Sequence, residues 1–196
     1  MKQRLLLLSI TLFLQSIMFS QIRQPYGDFW QAKEWSKSIS LFKGKKYLLQ
    51  NIFDTSEATT KFQIIALTGS SSGEITTLMY NCEQQNKEGL ILGFYGDYWN
   101  ESGVFYKGFA FKNFNKSEAT KFLDKIQSVI NENEEFLKDD KDNNNIVFQF
   151  DDIDILIYYD TINSPSIRLF WRGFDSTWEY VAYMRSKRRF EVRSND

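Results

Sequence analysis

The stretch Asn115–Lys138, NKSEATKFLDKIQSVINENEEFLK, contains apolar residues at a regular spacing of three and four positions. These residues are Ala119, Phe122, Leu123, Ile126, Val129, Ile130 and Leu137. Such spacing places them on one face of an α-helix, with charged residues on the opposite face. Asn115, Glu118 and Ser117 mark the start of the helix, because their side chains can bond the backbone N–H groups of a helix end. We therefore predict one long amphipathic helix over about 116–138.

Short runs rich in β-branched and aromatic residues fill most of the rest of the chain, and turn residues separate them. The predicted strands are 46–53, 61–67, 74–80, 89–95, 104–111, 146–150, 153–159, 167–172 and 177–185. Several neighbouring runs are joined by short turns, which favours antiparallel hairpins. The predicted fold class is α+β, a mainly antiparallel sheet of about eight or nine strands with the long helix packed on it. A closed β-barrel with an outer helix is the alternative. Before the first strand, Trp30, Trp35, Ile39 and Phe42 suggest a short helix that ends ahead of Gly44, and an ordered N-terminal arm is the alternative.

Residues 1–20 have the pattern of a secretory signal peptide. Lys2 and Arg4 precede the apolar run 5–19, which is shorter than a membrane-spanning helix requires. Removal of this segment leaves residues 21–196 as a single domain without a membrane span. We expect the protein to be secreted or periplasmic. The single cysteine, Cys82, excludes an intrachain disulfide and is expected to be a buried apolar residue.

The chain contains no histidine, which removes the most common catalytic and metal-binding side chain. Ser71 lies in a G-x-S-x-G pattern at 69–73, but no histidine is present to accept its proton, so we interpret this segment as a hairpin turn. The formal net charge of −1 argues against a nucleic-acid partner.

The polar segment after the helix has the spacing of a calcium-binding loop. Asp140, Asp142, Asn144 and Asp151 stand at positions one, three, five and twelve of such a loop, where oxygen ligands are expected. Asn145 replaces the usual glycine, however, and the last position is Asp rather than Glu. A solvated connection is therefore favoured over a calcium site, and we predict no cofactor.

Strand alternation places further charged residues where they can meet. Asp154 is expected to face Arg168, Arg172 and Glu179 if its strand neighbours the last hairpin. Such a cluster is either a ladder of cross-strand ion pairs or a site for a polar ligand. A histidine-free hydrolase acting on glycans would use a carboxylate pair from Asp152, Asp154 and Glu179.

Aromatic side chains, at 17% of residues, supply the other candidate surface. Tyr95, Tyr98, Trp99 and Tyr106 bracket one loop between two predicted strands, where exposed rings would stack on a glycan or a protein. The function predicted from the sequence is an exported binding protein without catalytic machinery, whose partner is a protein or a glycan. The alternative is the carboxylate-based hydrolase.

Overall fold

The strands form two four-stranded antiparallel sheets. The computed structural model describes residues 33–99, 105–141, 143–160 and 164–195. The first sheet contains β1 (Gln63–Gly69), β2 (Ile75–Cys82), β3 (Lys87–Trp99) and β4 (Phe105–Asn115). The second contains β5 (Asn145–Phe150), β6 (Ile153–Tyr159), β7 (Pro165–Trp171) and β8 (Phe174–Glu179). The predicted α+β class with antiparallel pairing is confirmed.

A single residue pair joins the two sheets, between Tyr98 of β3 and Phe174 of β8. Among the described residues no further pairing joins β8 to the first sheet, and the N–H of Thr177 donates to the side chain of Glu74. The prediction of one sheet of about eight or nine strands is therefore wrong. Within the described residues no pairing closes either sheet, so the alternative of a closed barrel is wrong as well.

The predicted long helix begins where the sequence indicated but is interrupted. Helix α2 (Lys116–Glu132) starts with a complete capping box, in which Asn115 and Glu118 each accept the other's backbone N–H at 3.0 Å. The backbone leaves the helical conformation at Asn133, with φ −123° and ψ 18°, and a short helix α3 (Glu134–Asp139) follows. Asn133 bonds the Val129 carbonyl through its side chain at 2.8 Å, which competes with the helical backbone bond. The prediction of one helix to residue 138 is wrong.

Helix α1 (Ser40–Asn51) continues directly from a π-helical turn at Trp35–Ile39. The sequence predicted that this helix ends before Gly44 and that a strand covers 46–53, and both predictions are wrong. Gly44 is buried, and a Cβ at this position would lie 2.6 Å from Cδ1 of Leu78. The glycine therefore allows α1 to approach β2 closely rather than ending the helix.

The last helix, α4 (Tyr180–Ser194), replaces the second half of a predicted strand over 177–185. Strand β8 ends at Glu179 instead. The buried stripe of α4 includes Ser186, whose hydroxyl bonds the Ala182 carbonyl at 2.9 Å and lies 2.8 Å from the Thr77 hydroxyl. A buried serine weakens the apolar periodicity that would have indicated a helix.

Both sheets share one core with α2 and α4. Phe122 of α2 contacts residues of both sheets, with ring centroids 4.8 Å from Phe114 and 6.3 Å from Trp178. The opposite face of the first sheet is covered by α1, whose Leu48 packs into a second cluster with Leu78 and Ile91. Among the described residues, helices thus cover both faces of the first sheet and only one face of the second.

The predicted signal peptide, residues 1–20, lies outside the described residues, so it and the boundaries of the mature domain stay predictions. Among the helices that are described, none is both long and apolar enough to cross a membrane.

Candidate functional site

The face of the second sheet that points away from the core carries three regular rows of side chains, one of them formed by Asn145, Tyr158, Ser166 and Glu179. Strand register places Val147, Leu156, Arg168 and Thr177 in the second row, and Gln149, Asp154, Phe170 and Asp175 in the third. We call the eight residues of the second and third rows the outer face. Alternation along each strand sends the intervening apolar residues into the shared core, which leaves the outer face to solvent.

Apolar side chains form a large part of the outer face. Val147 is 70% exposed, although it lies in a strand beside the half-buried Leu156. Phe170 is also half-buried, and the guanidinium of Arg168 lies 5.9 Å from the centroid of its ring. Apolar surface that no helix covers is typical of a contact surface.

An ion pair fixes the charged part of this face. Arg168 donates from Nε and Nη2 to the two carboxylate oxygens of Asp175, at 2.5 and 2.7 Å. This two-bond geometry holds both side chains across β7 and β8, and it raises the pKa of Arg168. Asp154 is exposed in the neighbouring row, and its carboxylate has no hydrogen-bond partner among the described residues. With two carboxylates and one guanidinium, the outer face therefore has a net negative charge.

Two glutamates link the sheets beside the outer face. Glu74 accepts the N–H of Thr177 at 2.7 Å, and Glu179 accepts the N–H of Ser72 at 3.2 Å. Burial raises the pKa of Glu74; the bond from Thr177 opposes this shift, and the charge of Glu179 adds to it. The second oxygen of Glu179 is buried without a hydrogen-bond partner among the described residues. Glu179, predicted as a ligand-binding residue, thus lies in the joint between the sheets.

The predicted aromatic cluster belongs mainly to the first sheet. Tyr95 is half-buried in β3, where Trp35 of the π-helical turn stacks on it at 5.3 Å and 17°. Tyr98 pairs with Tyr106 in the β3–β4 ladder, and Trp99 is the last residue of β3. The side chains of Tyr98, Trp99 and Tyr106 lie outside the described residues, so their predicted exposure stays a prediction.

Arg172 lies apart from Asp154 and Arg168 because it is not in a strand. It occupies the two-residue turn between β7 and β8 with φ 49°, and Gly173 follows with φ 81°. Two positive φ values are characteristic of the tight turn that joins antiparallel strands. The Arg172 guanidinium lies 4.8 Å from the ring centroid of Trp171. Sequence alternation placed Arg172 beside Arg168, since the position of the turn was unknown.

The described residues with calcium-loop spacing, for which the sequence favoured a solvated connection, bond other groups of the protein. The Asp140 carboxylate accepts two bonds from the amide of Asn143, and the Asn144 amide donates to the Phe136 carbonyl. Asp151 bonds Lys112 at 2.5 Å. Asp142 lies outside the described residues. Among the residues that are described, no group of three or more acidic or cysteine side chains is placed to hold a metal ion.

Asp152, a candidate of the hydrolase alternative, belongs to a polar network at the β5–β6 turn. Its two oxygens accept bonds from Lys112 at 2.5 Å and from the indole N–H of Trp171 at 2.9 Å. Burial alone would raise the pKa of Asp152, but the bonds from Lys112 and Trp171 outweigh it and lower the pKa. This network ties the second sheet to β4.

The structure brings together two predicted residues, Asp154 and Arg168, with several that the sequence did not single out. Val147, Leu156, Phe170 and Asp175 are the additional members. Their alternation within β5 to β8 was visible in the sequence, but the register that aligns them in rows was not. Cavities of about 200–240 Å³ lie elsewhere, along β1 and β2 and between α1 and β4.

Comparisons of the chain with models of protein families, with curated proteins and with solved structures found no match.

Proposed function

We propose that this protein is an exported binding protein without catalytic machinery, and that it recognises a protein partner through the outer face of the second sheet. Export rests on the signal-peptide pattern of residues 1–20. Binding rests on the contrast between the two sheets.

The proposal rests on one observation: a helix packs on the first sheet, whereas no described element packs on the outer face of the second. Helix α1 buries Leu78, Tyr80 and Ile91 on the first sheet, so that face is part of the interior. No described element covers the corresponding apolar residues of the second sheet, and Val147 is 70% exposed. A partner would provide the missing layer by burying Val147, Leu156 and Phe170.

The charges of the outer face indicate what kind of partner fits. Arg168 is already engaged by Asp175, which leaves Asp154 as the charge without a described partner. A protein surface that matches this face presents apolar side chains to Val147 and Phe170, with a basic residue opposite Asp154. Electrostatic complementarity of this kind mainly sets specificity and the association rate, while the apolar contacts supply affinity.

The proposal is tested with the purified chain and a Phe170→Ser variant. Proteins that bind the immobilised wild type are recovered from an extract of the source cells, purified, and titrated in solution against both forms. We expect the affinity for the true partner to fall at least about tenfold in Phe170→Ser, as for the loss of a central apolar contact.

Phe42→Ser is the matched control. Phe42 is 68% exposed on helix α1, which packs on the first sheet, so its replacement removes an exposed ring that is not part of the second sheet. A partner that loses affinity equally for both variants, or for Phe42→Ser alone, would contradict the proposal.

A further inference from the structure

Three strands of the described sheets have an edge without any strand pairing: β1, β4 and β5. The fourth outer strand, β8, pairs with β3 at Phe174, and its Thr177 N–H donates to Glu74. A free edge presents unpaired backbone N–H and C=O groups, which can pair with another strand. Proteins usually protect such edges with charged side chains, bulges or covering elements. The three edges differ in this respect.

Strand β1 is protected in two ways. Its register with β2 shifts between Ala66 and Thr68, which marks a bulge. At the same place, the guanidinium of Arg189 on α4 donates to the carbonyl of Leu67. The edge of β1 is thus irregular, and one of its carbonyl groups is already engaged.

Strand β4 carries an inward-pointing charge. Lys112 is two residues from the buried Phe114, so it lies on the core side of this strand. Its ammonium bonds both Asp151 and Asp152 at 2.5 Å. A lysine directed toward the core side of an edge strand disfavours continued pairing, because a neighbouring strand would bury its charge.

Strand β5 has none of these protections. Its sequence, Asn-Ile-Val-Phe-Gln-Phe over 145–150, contains no charge and no proline, and its register with β6 is continuous. Within the described residues no backbone hydrogen bond reaches its free edge. This strand also holds Val147, which is 70% exposed.

We propose that two copies of this chain associate through antiparallel pairing of their β5 strands. The two second sheets then form one continuous sheet across a twofold axis. This inference concerns self-association and goes beyond the partner binding proposed above.

The sequence of β5 is complementary to itself in this arrangement. With the axis at Val147, each Val147 faces its copy, and Asn145 faces Gln149 of the other chain. The pairs on the outer side are thus one apolar pair and two amide pairs, without like charges opposite each other. On the core side Ile146 lies opposite Phe148, a pair of β-branched and aromatic residues that strands favour.

The hydrogen-bond pattern of the hairpin agrees with this axis. Phe150 and Ile153 close a two-residue turn, and such a pair exchanges both of its backbone bonds. Alternation then directs the N–H and C=O groups of Asn145, Val147 and Gln149 toward the free edge. These are the residues that the twofold arrangement pairs.

The contact is small, so the dimer is expected to be weak. Six residues of strand extend for about 20 Å, and pairing along this length buries less surface than a standard interface. We therefore expect a concentration-dependent equilibrium between monomer and dimer.

The test is sedimentation equilibrium of the mature chain across a wide concentration range, with Val147→Lys as the variant. The wild type should approach twice the monomer mass at high concentration, while Val147→Lys should remain monomeric, because its lysines would face each other at the axis. Val192→Lys is the matched control, since Val192 is 57% exposed on α4, and it should dimerise like the wild type.

A wild type that is monomeric at every concentration would overturn the proposal. A dimer, or a larger species, that persists in Val147→Lys would overturn it as well, because another surface would then be responsible. Neither result bears on partner binding at Phe170, which lies on β7, two strands from the β5 edge.

Discussion

The carboxylate of Glu74, in the turn between β1 and β2, accepts a hydrogen bond from the backbone N–H of Thr177 in β8 of the other sheet at 2.7 Å. The backbone carbonyl of Glu74 also accepts the N–H of Tyr95 at 2.9 Å. One residue therefore bonds β3 through its main chain and β8 through its side chain. The turn between β1 and β2 is thus bonded to both sheets.

Glu74→Gln is expected to stabilise the protein near neutral pH. Burial raises the pKa of Glu74 in the folded state above its ordinary value of 4.5. The contribution of this carboxyl group to stability is therefore fully present below pH 4.5 and is lost as the pH rises through the folded-state pKa. Glutamine keeps an oxygen that accepts the Thr177 N–H but carries no charge. The melting temperature of the variant should exceed that of the wild type at about pH 7, and the difference should disappear near pH 4.

Glu135→Gln, on the exposed surface of α3, controls for the general loss of a negative charge. A lower melting temperature for Glu74→Gln at neutral pH would show that the carboxylate stabilises the joint between the sheets, contrary to this account.

Asp152→Asn should have the opposite dependence on pH. Hydrogen bonds from Lys112 and Trp171 outweigh burial and lower the pKa of Asp152 below 3.8, so its stabilising contribution is present above that pH and is lost as the pH falls through the folded pKa. We expect a lower melting temperature for the variant at neutral pH, and convergence with the wild type in acid. Asp154→Asn, two residues along in β6, is the control, and a loss of equal size there would refute the specific role of Asp152.

Asn115→Ala should destabilise the protein by about 1 kcal/mol, because it removes the side-chain oxygen that caps α2. Urea unfolding at constant m-value measures the change. Ser117→Ala provides the comparison, since Ser117 is the other candidate cap in the sequence but lies inside the helix. Equal losses in the two variants would be inconsistent with the observed capping box.

Gly89→Ala should be among the most damaging small substitutions. A Cβ at residue 89 would lie 2.1 Å from the carbonyl oxygen of Phe114 and 2.6 Å from the hydroxyl of Tyr80. The β4 backbone must move to remove this clash, and we expect the movement to lower the free energy of unfolding by about 1–3 kcal/mol or more. At Gly69 the nearest contact is Cβ of Ser36 at 3.1 Å, so Gly69→Ala should cost less in the same unfolding experiment.

The elements with strong local signals were predictable from the sequence. The capping box at Asn115 and the boundaries of β6 at Ile153 and Tyr159 agree with the structure, because short-range spacing determines them. Helix α1 passes through Gly44, which usually signals a helix end, because the contact with Leu78 requires a residue without a side chain. Long-range packing of this kind leaves no local signal.

The candidate site was predictable only in part for the same reason. Alternation indicated that Asp154 and Arg168 point the same way, but the partner of Arg168 is Asp175, which lies diagonally across the β7–β8 ladder. Arg172 leaves the strand because Gly173 completes a two-residue turn with it. Register and turn position therefore determine the site, and neither is specified by the spacing of single residues.

Site-specific photo-crosslinking shows whether the outer face of the second sheet contacts the partner. Cys82, the only cysteine of the chain, is buried, so an introduced surface cysteine can be labelled selectively with a photoreactive maleimide. We would compare Asp154→Cys on the outer face with Val181→Cys on α4, since both positions are exposed. We expect a covalent adduct with the purified partner from Asp154→Cys and none from Val181→Cys. An adduct from Val181→Cys, or none from Asp154→Cys while the labelled variant still binds with full affinity, would contradict the proposal.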